Sequence, residues 1–263
     1  MPIVFAALCP HPPLLIPAIG KENLAKLQKT RIAMEKLEED FYHSKPETVI
    51  VISPHGDLMA KAFTINHAPV LKADFADFGD LATTLEFKND LGLSYRIREK
   101  TETKLPLILT TSAKLDHGSS VPLYYLTQHL KDLKVIPLGY SLLSRAVHFS
   151  LGAYIRSVLN QTNKRVAIIA SGDLSHRLTV DSPAGYSSAG QEFDQKLIGL
   201  LADKKIKEIL KIKKPLIKEA GECGYRSLLI LLGALAEINF KTEILSYEGP
   251  FGVGYLVANF TIR

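Results

Sequence analysis

Apolar and polar positions change period several times along this chain, and each change marks an element. Residues 3–8 are an unbroken apolar run closed by Pro10, Pro12 and Pro13, which predicts a buried strand that delivers His11 into a loop. Over residues 21–41 the apolar positions Leu24, Leu27, Met34, Leu37 and Phe41 fall three, four or seven apart with charges between them, the pattern of an amphipathic helix. Residues 48–53 and 165–170 are β-branched runs of the kind found in parallel strands covered on both faces, and residues 134–138 read as another strand. Weaker strand-like pieces at 63–65 and 107–110 enclose a predicted helix over 91–100.

Helical spacing predicts further helices over 121–130, 145–160 and 190–202, and a long apolar one opened by Glu222 and running through 227–236. The lysine-rich stretch 203–214 carries its isoleucines and leucine at about helical spacing and reads as one more amphipathic helix with a solvated basic face. Residues 242–247 and 254–262 alternate well enough for a closing antiparallel pair, so the order of elements predicts a mixed sheet flanked by helices. Phe5 and residues 49–52, 166–170 and 228–232 are the expected core.

At 263 residues with 46% apolar, the chain has enough apolar material for a sizeable core, and with no linker, repeat or low-complexity run it reads as a single domain over 1–263. The N-terminus lacks a basic leader and meets its prolines too soon for a signal peptide. No apolar stretch approaches the roughly 20 residues of a membrane helix. These features give the expectation of a cytoplasmic protein with no membrane partner, in which Cys9 and Cys223 are thiols. The net charge of +5 comes without any nucleic-acid-binding signature, so nucleic acid is not an expected partner, while attraction of an anionic small substrate stays open.

Chemistry concentrates where apolar runs give way to turns: Cys-Pro-His11-Pro-Pro, Ser-Pro-His55-Gly, Asp-His117-Gly-Ser-Ser, Gly-Asp-Leu-Ser-His176 and Gly-Glu222-Cys-Gly. Strand ends are where α/β proteins gather functional groups. The other histidines, His43, His67, His129 and His148, lie in mixed polar surroundings and are expected to face solvent. Two histidines and a carboxylate on one face of a metal leave sites open for substrate and O₂, and His11, His55 and Glu222 form such a candidate set. The spacing alone is equally compatible with loop histidines that hydrogen-bond their own turns, and with Glu222 acting as a helix-start carboxylate. His117 and His176 suit acid/base work, with Asp116 and Asp173 either orienting those rings or capping turns.

Taken in order, His11-Pro-Pro, Ser53-Pro-His55-Gly, Asp116-His-Gly-Ser-Ser-Val-Pro, Ser171-Gly-Asp-Leu-Ser-His176 and Glu222-Cys-Gly-Tyr-Arg-Ser resemble the motifs of the class III extradiol ring-cleaving dioxygenases, the LigB family, across essentially the whole chain. The resemblance implies a single three-layer α/β/α domain with a mixed, mainly parallel central sheet. It implies Fe(II) held by His11, His55 and Glu222, with His176 as the acid/base histidine and His117 as a second active-site histidine that handles oxygen and substrate. The implied reaction opens the ring of a small catechol or aminophenol with O₂, without an organic cofactor.

The related Memo proteins share the fold and present a cysteine among their metal-site residues at about the place of Cys223. A thiolate facing the ion would favour copper or zinc over iron, and Cys9, two residues before His11, bears on the same point, although both cysteines also suit small buried positions. The resemblance therefore carries an alternative, a Memo-like metal-binding or redox protein without ring cleavage, or a zinc-dependent enzyme on the same fold. Because some members close their pocket with a small separate subunit, such a subunit or a homo-oligomer is the implied protein partner.

Overall fold

A computed structural model describes residues 2–130 and 132–263. The β-branched and apolar runs become strands β1 (Ile3–Cys9), β2 (Thr48–Ser53), β3 (Phe63–Asn66), β4 (Val70–Phe75), β5 (Asp80–Asn89), β6 (Leu107–Thr110), β7 (Lys134–Gly139), β8 (Val166–Ser171), β9 (Phe240–Glu248) and β10 (Tyr255–Ile262). The helices are α1 (Pro17–Gly20), α2 (Gln28–Ser44), α3 (Leu91–Glu102), α4 (His117–Leu126), α5 (Arg145–Leu159), α6 (Ser188–Ala202), α7 (Ile206–Ile209), α8 (Lys214–Ala220) and α9 (Tyr225–Leu235).

All ten strands join one sheet along the path β4-β5-β7-β2-β8-β1-β10-β9, with β3 antiparallel to β7 and β6 parallel to β3. Its centre, β7-β2-β8-β1, is parallel, and β10 and β9 close one side antiparallel, as the alternation of their residues predicts. Period-2 geometry sends alternate residues of each strand to opposite faces. Ile50, Ile52, Ile168 and Ala170 thus pack with α3, α5, α6 and α9, while Val49, Val51, Ala167 and Ile169 pack with α2 and α4. Helices cover both faces, giving three α/β/α layers. Every residue of the expected core is buried.

Four sequence expectations need correction. The helix expected over 21–41 begins as a 3-10 turn, Lys21–Leu27, and becomes α-helical only at Gln28. The helix expected over 121–130 starts at His117, because the Asp116 carboxylate accepts the Ser119 N–H at 3.0 Å and caps residues that read as a turn. The lysine-rich stretch is not one helix: Lys204 takes a left-handed φ of 55°, α7 holds four residues, and Pro215 opens α8. His148 is buried rather than solvent-facing, with Nδ1 and Nε2 each 2.9 Å from a backbone carbonyl, those of Ser144 and Ser141.

Candidate functional site

Parallel strands place their carboxyl ends along one edge of the sheet, and the expected site residues leave that edge on separate loops. His11 follows β1, His55 follows β2, and Asp173 and His176 follow β8, while Glu222 and Cys223 precede α9. The structure brings most of them together. His55 Nε2 lies 3.1 Å from His11 Nε2, and Cys223 Sγ lies 3.6 Å from the same atom. Donor atoms of His11, His55 and Cys223 fall within 4.8 Å of one another, as do those of Asp173, His176 and Cys223.

The hydrogen bonds decide which nitrogen of His11 is free. Ser171 Oγ donates its only proton to the Gly118 carbonyl, so toward His11 Nδ1, at 2.8 Å, it can only accept. His11 therefore carries its proton on Nδ1 and turns the Nε2 lone pair toward His55 and Cys223. By the same reasoning, His176 Nδ1 donates to the Gly221 carbonyl at 2.7 Å and leaves its Nε2 lone pair free. Burial, reinforced by the neighbouring His55, His117 and His176, pushes the His11 pKa well below its usual value. Burial and then His117 lower that of His55 to about 4, against the pull of Asp116. Both rings are thus neutral at pH 7, the form that ligates a metal.

Asp173 ties the loops to each other. Its Oδ1 accepts the His11 N–H at 2.9 Å, and its carbonyl accepts the N–H groups of Cys223 and Gly224 at 3.2 and 2.9 Å. Burial raises its pKa to about 7, with the bond from His11 N–H pulling the other way. The approach is close because Gly172 faces Gly224 directly: a Cβ on Gly172 would sit 2.0 Å from Gly224 Cα.

Glu222 is placed differently from its expected companions. Its Oε2 accepts the Tyr225 N–H at 2.6 Å at the start of α9, and it belongs to neither donor group. Burial pushes its pKa up to about 7. Cys9 is fully buried on the α2/α4 side of β1 and belongs to neither donor group. Asp116 orients no ring directly; its carboxylate accepts Ser53 Oγ as well as the helix start. His117 stacks on His55 with ring centres 4.3 Å apart and meets the edge of Phe78 at 5.3 Å.

His55, His117 and Phe78 line a cleft of about 340 Å³, together with Thr64, Asn66 and Lys114. On the other side, Glu222 lines a second cavity of about 880 Å³. Sequence reasoning missed Ser171, whose role depends on a partner 160 positions away, and Phe78, which no motif marks. Two neutral imidazoles and a thiol converging on one point, with one ring's tautomer fixed by a second residue, form a donor set that a transition-metal ion fits.

Residues 5–258 match the family described as the catalytic LigB subunit of aromatic ring-opening dioxygenase. The chain belongs to the LigB family. Protein CA_C1420 of Clostridium acetobutylicum is 35% identical over 258 residues, 94% of this chain and 55% of its own length. A MEMO1 family protein of Methanococcoides burtonii is 27% identical over 152 residues, 54% of each chain. This chain thus spans about half the length of those two relatives. The 4,5-DOPA dioxygenase extradiol of Mirabilis jalapa is 25% identical over 251 residues, 90% of this chain and 92% of that one. In fold, the LigB chain matches the crystal structure of the uncharacterised Escherichia coli K12 protein JW3007 with a TM-score of 0.69 at 18% identity, covering 97% and 98% of the two chains. Among the described residues no helix is long and apolar enough to cross a membrane.

Proposed function

We propose that this LigB-family chain is a metal-dependent oxidoreductase whose ion is held by His11, His55 and Cys223, closer in donor chemistry to the Memo reading than to the ring-opening one. The observation that carries this is the division at the start of α9: Glu222 Oε2 accepts the Tyr225 N–H and the carboxylate joins neither donor group, while Cys223 Sγ faces His11 Nε2. A set of two imidazoles and one thiolate suits a soft, redox-active ion, copper ahead of iron. Copper bound there would supply reversible one-electron chemistry.

The protein's own residues supply the rest. Ser171 keeps His11 in the ligating tautomer. His176, with Nδ1 committed to Gly221, offers Nε2 as a base for a substrate hydroxyl. His117 and Phe78 offer ring faces and edges at the mouth of the neighbouring cleft, where a small aromatic compound would lie.

Ring opening on Fe(II) held by His11, His55 and Glu222 is the second reading. It is favoured by that cleft and by a relative named as an extradiol dioxygenase that aligns with 90% of the chain. One experiment separates the two: metal content after anaerobic purification, followed by titration with Cu(I) and Fe(II), for the wild type, Cys223→Ala and Glu222→Ala. Copper retained by Glu222→Ala and lost from Cys223→Ala supports the first reading. Iron that needs Glu222 and ignores Cys223, together with O₂ uptake on a panel of catechols and aminophenols, would replace it with the second.

A further inference from the structure

The larger cavity contains none of His11, His55 and Cys223 in its lining. It encloses about 880 Å³ between the loop that leads into α5 and the helices α8 and α9, and four cations line it: Arg145, Lys214, Lys218 and Arg226. Lys214 comes from the lysine-rich stretch that the fold breaks into pieces. Among the ion pairs of the described residues, none involves these four side chains. Of the two carboxylates in the lining, Glu219 lies 3.3 Å from Arg177, outside the lining, and Glu222 accepts the Tyr225 N–H. Four cations against two carboxylates leave the lining with an excess of positive charge, which an anion among them would offset.

Two of the cations are held in place before any ligand arrives. Arg145 Nη1 donates to the Ile212 carbonyl and lies 3.5 Å from Tyr225 OH, which leaves its remaining N–H groups for another acceptor. Arg226 rests its guanidinium 5.8 Å from the centre of the Tyr140 ring, and its Nε is shielded from solvent without a hydrogen-bond partner. Fixed guanidinium groups bind carboxylate and phosphate with little loss of side-chain entropy. Part of the remaining lining is apolar, formed by Leu142, Leu143 and Ile217, with Leu142 54% exposed. An inorganic anion gains nothing from such a wall, whereas an apolar body attached to the anion does.

We propose that this chamber is a binding site for a small organic anion, a carboxylate or phosphate monoester carried on an apolar body. The site shares Gly221 and Glu222 with the surroundings of the metal centre, since the Gly221 carbonyl accepts His176 Nδ1–H, but it does not depend on which ion that centre holds.

The test uses the full chain and the apolar anion 1-anilinonaphthalene-8-sulfonate as a fluorescent probe. Phenyl phosphate, benzoate, inorganic phosphate and benzylamine serve as competitors. Phenyl phosphate or benzoate is expected to displace the probe, with the better of the two identifying the head group. Inorganic phosphate should compete about tenfold or more weakly, and benzylamine not at all. The double variant Lys214→Glu/Lys218→Glu, which alters only exposed side chains, should weaken probe and competitor about tenfold or more while melting at the wild-type temperature. Arg226→Met supplies a second loss of charge at similar length. Equal competition by benzylamine, equal competition by inorganic phosphate, or undiminished binding by both variants would each overturn the proposal.

Discussion

Ser171→Ala tests the site at the point where its geometry is most specific. The serine is fully buried at the end of β8, where its hydroxyl accepts from His11 Nδ1 at 2.8 Å and donates to the Gly118 carbonyl. Truncation leaves a buried imidazole N–H and a buried carbonyl without partners, at a cost of about 1–3 kcal/mol for each group left fully unsatisfied. Partial relaxation brings the expected total to about 2–4 kcal/mol, which for a chain of this length lowers the melting temperature by about 4–8 °C. A second effect is independent of stability. Without Ser171, nothing holds the proton on Nδ1, the Nε2–H tautomer becomes competitive, and metal affinity should fall by about 10- to 100-fold, as it does when outer hydrogen bonds to ligating histidines are removed. Chelator competition measures that affinity, and nitrogen-15 shifts of the metal-free protein report the tautomer. Unchanged affinity, or a wild-type His11 already protonated on Nε2, would refute the reasoning.

Two further substitutions probe the frame around the site. Asp194 is fully buried between Tyr247 OH at 2.7 Å and Ser175 N–H at 2.9 Å, and burial raises its pKa to about 6 against those two bonds. The folded state therefore keeps a proton that the unfolded chain has lost, and this stabilisation fades as pH rises from about 4 to about 6. Other buried groups titrate in the same range, so the prediction is a difference: in denaturant titrations the stability change of the wild type across that window should be more unfavourable than that of Asp194→Asn by about 2–3 kcal/mol. Gly172→Ala would drive a Cβ to 2.0 Å from Gly224 Cα, with backbone on both sides and no flexible side chain to yield. It should destabilise the fold by about 2–3 kcal/mol in thermal unfolding and weaken the metal, whereas wild-type behaviour would mean that the two loops separate freely.

The elements legible in the sequence were those whose surroundings are uniform. Residues 48–53 and 166–171 are covered on both faces, so burial writes itself as an unbroken β-branched run. β4 and β5 mix exposed and buried positions near the edge, and their polar residues hid them. The turn signals at Gly118, Ser119 and Ser120 masked the start of α4, because helix and turn use the same small residues and only the Asp116 cap tells them apart. His148 was misplaced for a related reason: its carbonyl partners lie on its own helix start and the preceding loop, where local polarity reads as exposure. At the site, the five segments could be named from their turns. Where the side chains of Glu222 and Cys223 lie could not, since neighbours at a helix start point in different directions and only the fold shows which one takes the Tyr225 N–H.

The placement of Cys223 beside His11 follows from the backbone of the Asp173 loop. The Asp173 carbonyl accepts both Cys223 N–H and Gly224 N–H, and its own N–H approaches Cys223 Sγ at 3.3 Å, so the chain before α9 is held on both sides of the thiol. Glu222 precedes Cys223, and its Oε2 accepts the N–H of Tyr225, the first helical residue, which has no acceptor within the helix. The Asp173 loop is in turn secured through Ser175, whose N–H reaches Asp194 and whose Oγ reaches the Ala220 carbonyl. In this arrangement Glu222 Oε2 is held at the helix start and the carboxylate joins neither donor group. The arrangement already groups Cys223 with His11 and His55, and for that reason the proposed metal centre takes the thiol, rather than the carboxylate beside it, as its third donor.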